Sequence, residues 1–240
     1  MFEDDTELEY DVLSLNVGSK TRGSMNVPGV WENALTTRPI NDLLGKIQRK
    51  EDELKERGIV PRVVVCGGGA AGVELSFAFK SRWSREFGKD IEVTLISHAD
   101  DILPSEPIAV RDEVRRKLKE KNIKLEINGK VDKITQTHVH LKDDRVFECD
   151  VPLWATGAEP QQVTNDSELD TLHGYFKVND FMQSTSHPNI FAGGDCVCME
   201  SYADKQFPPK AGVYAVRAGP IVAGNIVRYI KEEPLQPYIP

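Results

Sequence analysis

Three glycines stand where phosphate chemistry would need them. Gly67, Gly69 and Gly72 follow the spacing G-x-G-x-x-G, directly after the β-branched run Arg62–Cys66 and just before a helical stretch over 71–87. Each position has a physical reason: Gly67 permits a tight turn, Gly69 lets the backbone approach a pyrophosphate, and Gly72 lets helix and strand pack closely. The helix start adds unpaired N–H groups and a partial positive charge. A glycine-rich helix cap without a ligand would need none of this spacing, and the strand–loop–helix–strand context favours a nucleotide loop. The expected contacts are Gly67, Gly68, Gly69, Ala70, Ala71 and Gly72.

In such a unit the end of the second strand meets the adenosine ribose. A carboxylate there accepts from the 2′-hydroxyl of NAD, and a cation favours the 2′-phosphate of NADP. This chain has Ser97 and His98, then Asp100 and Asp101. Ser97 is the expected contact, although it satisfies neither rule, so NADH and NADPH both stay open. The lack of an arginine beside Ser97 tilts the reading toward NADH.

The surrounding pattern supplies the elements that hold these residues. Residues 36–57 read as a helix, with Ile40, Leu43, Leu44, Ile47 and Leu54 near one face and Gly58 as a stop. A second strand at 91–97, an amphipathic helix at 106–121 and shorter strands at 124–127, 131–135, 138–141 and 145–149 follow. A short strand at 10–16 precedes them. That order predicts an α/β fold, a Rossmann-like doubly wound parallel sheet with a small antiparallel β crossover. After residue 151 the pattern resets into VPLWATG, a polar loop, NIFAGGD and a helix over 210–230.

The bulk composition excludes several classes. A net charge of −8 leaves no basic footprint for nucleic acid. No apolar run is long enough to span a bilayer. Cys66, Cys149, Cys196 and Cys198 form no C-x-x-C pair, so neither a dithiol nor a zinc knuckle is expected. An acidic start without a basic and apolar leader points to a cytoplasmic, reducing setting.

Three further segments bring a resemblance. Tyr10-Asp11-x-Leu13 with Gly18-Ser19, Leu153-Trp154-Ala155-Thr156-Gly157 and Asn189-Ile190-Phe191-Ala192-Gly193-Gly194-Asp195 resemble, in type and order, motifs of the pyridine nucleotide-disulfide oxidoreductase superfamily. The type II NADH dehydrogenase-like enzymes look nearest. Within them, the segment from Lys210 and Ala211 to Arg217 with Gly219-Pro220 is similar to the flavoprotein module fused ahead of selenide, water dikinase. The resemblance implies FAD and NAD(P)H as cofactors, with flavin contacts at Thr156, Gly157, Gly194, Asp195, Lys210 and Ala211. It also places Glu74 near the nicotinamide, where an exposed acid in the first helical turn is an equal reading. Cys196 and Cys198 beside the expected flavin site read as small apolar fillers.

The division expected on this basis is 1–36 for the end of a first FAD segment and linker, 37–150 for the NAD(P)-binding domain, and 151–240 for the later part of the FAD domain. No G-x-G-x-x-G lies upstream of Tyr10, so the chain reads as a fragment lacking the first FAD-binding half, completed by a homodimer mate or a second chain. The glutamine pair of quinone-reducing members is replaced by Gly212 and Arg217. The implied function is hydride transfer from NAD(P)H to flavin and on to a small-molecule or quinone-like acceptor. The alternative is a nucleotide-binding module without catalysis of its own.

Overall fold

The computed structural model describes residues 7–205 and 207–240. The chain divides into two compact units, one of residues 20–159 and one in which the opening segment through Ser19 joins residues 160–240. The second is split in sequence and begins with β1 (Leu13–Leu15).

The 20–159 unit starts with β2 (Lys20–Thr21), the single-turn α1 (Val30–Asn33) and β3 (Leu35–Thr36). Then come α2 (Ile40–Glu56), β4 (Arg62–Cys66), α3 (Ala70–Glu86), β5 (Glu92–Ile96), α4 (Ile108–Glu120) and β6 (Ile123–Glu126). An antiparallel meander follows: β7 (Val131–Ile134), β8 (His138–Leu141) and β9 (Val146–Glu148). β10 (Val151–Trp154) returns to the main sheet, and β11 (Ala158–Glu159) pairs antiparallel with β2. The sheet order is β3-β10-β4-β5-β6, all parallel.

This sheet is covered on both faces, which is why its central strands read as continuous apolar runs. Val63, Val65, Val93 and Leu95 pack under Phe79 and Trp83 of α3, with Leu54 of α2 and Leu118 of α4 in the same cluster. The alternate residues Val64, Cys66 and Ile96 join Val139 and Leu141 of the meander. The Rossmann-like parallel sheet with an antiparallel crossover is the architecture the pattern implies.

Helix α2 departs from its expected apolar face. Leu43, Ile47 and Leu54 are buried, but Ile40 and Leu44 are 71% and 70% exposed. The buried stripe is completed by Glu51, whose carboxylate accepts from Trp83 Nε1 and Arg82 at 3.0 Å and from Lys55 at 2.8 Å. A buried charge is tolerable when paired and hydrogen-bonded in this way.

In the split unit, the polar stretch that reads as a loop holds regular structure. It contains α5 (Val163–Asp166), β12 (Thr171–Leu172) and β13 (Tyr175–Val178). β14 (Ile190–Ala192) pairs parallel with β1, Leu13 opposite Ile190 and Leu15 opposite Ala192. β15 (Val197–Met199) lies parallel to β13. Finally α6 (Gly212–Ile230) lays Ala218 and Val222 on a core that includes Phe191. Its buried Asn225 is satisfied on both sides: the amide donates to the carbonyls of Phe181 and Gln236 and the oxygen accepts the Gln236 N–H, each at 2.8 Å. Among the described residues no helix is long and apolar enough to cross a membrane.

Candidate functional site

In the 20–159 unit, the expected residues gather at the carboxyl ends of the parallel strands. The glycine turn leaves β4, Ser97 leaves β5, and Ala155, Thr156 and Gly157 leave β10. β10 and β4 are neighbours although far apart in sequence, so the strand order switches direction beside the glycine turn. Open α/β sheets bind their ligands at this kind of switch point.

The glycines divide by what surrounds them. Gly67 sits at φ +134°, and a Cβ there would lie 2.2 Å from the carbonyl oxygen of Ala155. At Gly72 a Cβ would stand 1.7 Å from the Gly67 carbonyl oxygen. Its smallness therefore serves the helix's contact with the turn itself, with Leu95 of β5 only at ordinary distance. A Cβ on Gly68 would come 2.4 Å from Ser97 Oγ, whereas one on Gly69 would meet nothing within 4 Å. Gly69 is thus the position where smallness serves no contact within the protein. Gly69, Ala70 and Ala71 are exposed, and no side chain caps the N-terminus of α3. Backbone N–H groups of an uncapped first turn are suited to phosphate oxygens. Glu74 lies one turn further along, exposed on the helix surface.

Ser97 has a different setting from that of a ribose ligand. It is 2% exposed, and its hydroxyl donates to the Asp101 carbonyl at 2.7 Å. The loop that Ser97 begins is pinned a second time, by the Leu103 N–H donating to the Gly68 carbonyl at 2.8 Å. Between those pins, Asp101 Oδ2 accepts from Arg111 at 3.1 Å and Arg115 at 2.6 Å. Burial opposes ionisation of Asp101, but the Ile102 N–H and the two guanidiniums hold its carboxyl below the usual range. These two arginines lie on α4 and give no sign at the strand end itself. Their i,i+4 spacing on one helix face was the available signal.

Thr156 and Gly157 are tied to the segment after β2. Thr156 Oγ1 donates to the Arg22 carbonyl at 2.5 Å, Trp154 Nε1 to the same oxygen at 2.8 Å, and the Arg22 N–H to the Gly157 carbonyl at 3.0 Å.

The split unit brings Gly194, Asp195, Lys210 and Ala211 into its own cluster. Asp195 follows β14 at the carboxyl end of the parallel β1–β14 pair, and its carboxylate accepts from the Ser19 hydroxyl at 3.0 Å. Gly194 has φ +76°, and a Cβ there would come 3.4 Å from Ala215 of α6. Ala211 is the N-cap of α6, which has no side-chain cap. Lys210 is partly buried, its ammonium 4.1 Å from the centre of the Tyr175 ring and donating to the Val197 carbonyl. Burial lowers its pKa, against the opposing influence of Cys198, Asp195 and Cys196. A carboxylate, an uncapped helix start and a cation at one end of a parallel strand pair fit the polyol and ring of a flavin.

The cysteines offer no dithiol. All four are buried and free, burial pushes the Cys149 thiol up to about 12, and Cys66, Cys196 and Cys198 are raised by the same cause. The Cys196 thiol donates to the Gly193 carbonyl at 3.1 Å.

Comparison with known proteins places this geometry. The family model for pyridine nucleotide-disulphide oxidoreductases matches residues 2–219. The type II NADH:quinone oxidoreductase of Haemophilus influenzae is 26% identical over 263 residues, covering 96% of this chain and 58% of that protein. Ferroptosis suppressor protein 1 of Xenopus laevis is 31% identical over 220 residues, covering 83% of this chain and 55% of that protein. Reduced CoADR-RHD of Bacillus anthracis has a TM-score of 0.75 at 28% identity, over 95% of this chain and 39% of that one. The water-forming NADH oxidase of Lactobacillus brevis shares the fold, with a TM-score of 0.79 at 21% identity, over 97% of this chain and 49% of that one.

These matches correct two expectations. The chain spans about three-fifths or less of the length of these relatives, and the expectation of a chain holding only part of the family fold gives way to a family match over nearly all of it. The family match runs over residues 2–219, nearly the whole chain, and β1 is the registered partner of β14 beside Asp195. The affinity with the module fused to selenide, water dikinase gives way to a match with the wider NADH dehydrogenase-like group. Carrying the glycine turn, the β10 return and the Gly-Asp strand end, and matched by the family model over residues 2–219, the chain belongs to the pyridine nucleotide-disulphide oxidoreductase family.

Proposed function

We propose that this chain acts in an FAD-dependent NAD(P)H oxidoreductase. The glycine turn of the 20–159 unit would hold the nicotinamide nucleotide, and Asp195 with the start of α6 would hold the flavin. When bound, these cofactors supply hydride donation by the nicotinamide and acceptance by the flavin. The protein's own part is binding and orientation. Gly69 leaves room at the backbone, the first turn of α3 offers N–H groups to the pyrophosphate, and Asp195 offers a hydroxyl acceptor to the ribityl chain. The observation that carries this reading is the open space at Gly69, set in a turn where Gly67 and Gly72 are closed by contacts of the protein itself.

The acceptor that follows from the names of the relatives is a small, quinone-like molecule, since one is a type II NADH:quinone oxidoreductase. Calorimetric titration with NADH tests the nucleotide half of the proposal. Gly69→Ala should weaken binding on the order of tenfold, about 1.4 kcal/mol, with the melting temperature unchanged. Equal affinity in the two proteins would remove the glycine turn from the site.

A further inference from the structure

We propose that Arg111 and Arg115, gathered by Asp101, form a receptor for the 2′-phosphate of NADP(H), so that this site takes the phosphorylated nucleotide in preference to NAD(H). The inference rests on the nucleotide reading of the glycine turn.

The loop between β5 and α4 is where a ribose 2′-substituent is read in this architecture. Ser97, at its start, is 2% exposed, and its hydroxyl is turned to the Asp101 carbonyl, so its oxygen is withdrawn from a ligand. The Asp101 carboxylate is also engaged: Oδ1 accepts the Ile102 N–H at 2.7 Å, and Oδ2 takes both guanidiniums. Neither residue therefore presents the open acceptor that would select a 2′-hydroxyl.

The donors, in contrast, are in surplus. Two guanidiniums carry ten N–H bonds between them. The carboxylate oxygens paired with them are Asp101 Oδ2 and, at 3.5 Å from Arg115, Asp112 Oδ1. Both side chains stay partly exposed, which leaves terminal N–H groups of the guanidiniums open to a ligand. Such an arrangement calls for a further multidentate acceptor, and a phosphate matches the guanidinium fork where a hydroxyl does not. Asp112 is 65% exposed, so its charge is well screened. Asp100 is exposed as well, so its charge is screened in the same way. The cluster is held close to the glycine turn by the Ser97–Asp101 and Leu103–Gly68 bonds, so it stands beside the expected nucleotide.

Calorimetric titration of the 240-residue protein with ADP and with 2′,5′-ADP separates the possibilities. The expected result is on the order of tenfold tighter binding of 2′,5′-ADP, about 1.4 kcal/mol. Combined Arg111→Met and Arg115→Met should abolish that ratio while leaving ADP affinity in place. If the double variant unfolds, Arg111→Met alone, which leaves the stronger Arg115–Asp101 pair intact, should still reduce the ratio. ADP binding as tightly as 2′,5′-ADP, or a preference that survives loss of the arginines, would overturn the assignment and leave the nucleotide site standing. Binding of neither compound would sink both.

Discussion

At the scale of single residues, the same amino acid does unlike jobs within one turn, and mutation separates them. Gly72→Ala drives a methyl to 1.7 Å from a backbone oxygen that cannot swing aside. It should cost about 3 kcal/mol or more, seen as a large fall in melting temperature. Gly69→Ala places its methyl in open space, at a φ of −78° that any residue tolerates, and should leave stability within about 0.5 kcal/mol of the parent. Parallel thermal melts check the pair, and equal losses would contradict the division. The motif was legible in the sequence because its spacing is local. The partner of Gly72 was not legible, since the Gly67 carbonyl is set by the fold of the turn. Ser97 makes the same point: its place at the strand end is readable, but its bond to the Asp101 carbonyl depends on how the next loop closes.

At the scale of elements, periodicity located the long helices and the central strands of the 20–159 unit to within a few residues. It did less well where a strand is short or a buried position is polar. β13 hid in a polar stretch because its apolar residues span only Tyr175–Val178. Glu51 sat on the buried face of α2 because its partners, Arg82 and Trp83, lie on another helix. One further pair ties the starts of the neighbouring inner strands β4 and β10 together: the Asp150 carboxylate accepts from the Arg62 N–H and Nε at 2.9 Å and from Nη2 at 3.0 Å. Burial works against its ionisation, but these bonds to Arg62 keep the Asp150 carboxyl below its ordinary range. A carboxyl depressed in the folded state contributes stability above its unfolded pKa and loses it as pH falls through the folded value. Asp150→Ala should therefore cost about 2 kcal/mol at neutral pH. The difference from the parent should shrink as pH falls below about 4. Denaturant unfolding at several pH values checks this, and a pH-independent difference would show that lost packing dominates.

At the scale of the whole molecule, two units carry two sets of residues, each at the carboxyl end of parallel strands. The 20–159 unit announces itself through a contiguous glycine loop. The split unit is harder to read, because β1 and β14 are separated by the whole 20–159 segment and meet only in the fold. That separation is why the pairing of β1 with the strand that leads to Asp195 could not be read from the sequence. The central claim, electron flow from a reduced nicotinamide to FAD in this protein, is tested most directly by an anaerobic absorbance titration. The protein loaded with FAD is mixed with NADH or NADPH, and the visible flavin band is followed. The account predicts that the band bleaches, and that Gly69→Ala requires more nucleotide for the same bleaching. A flavin band that persists under excess of both nucleotides would contradict it.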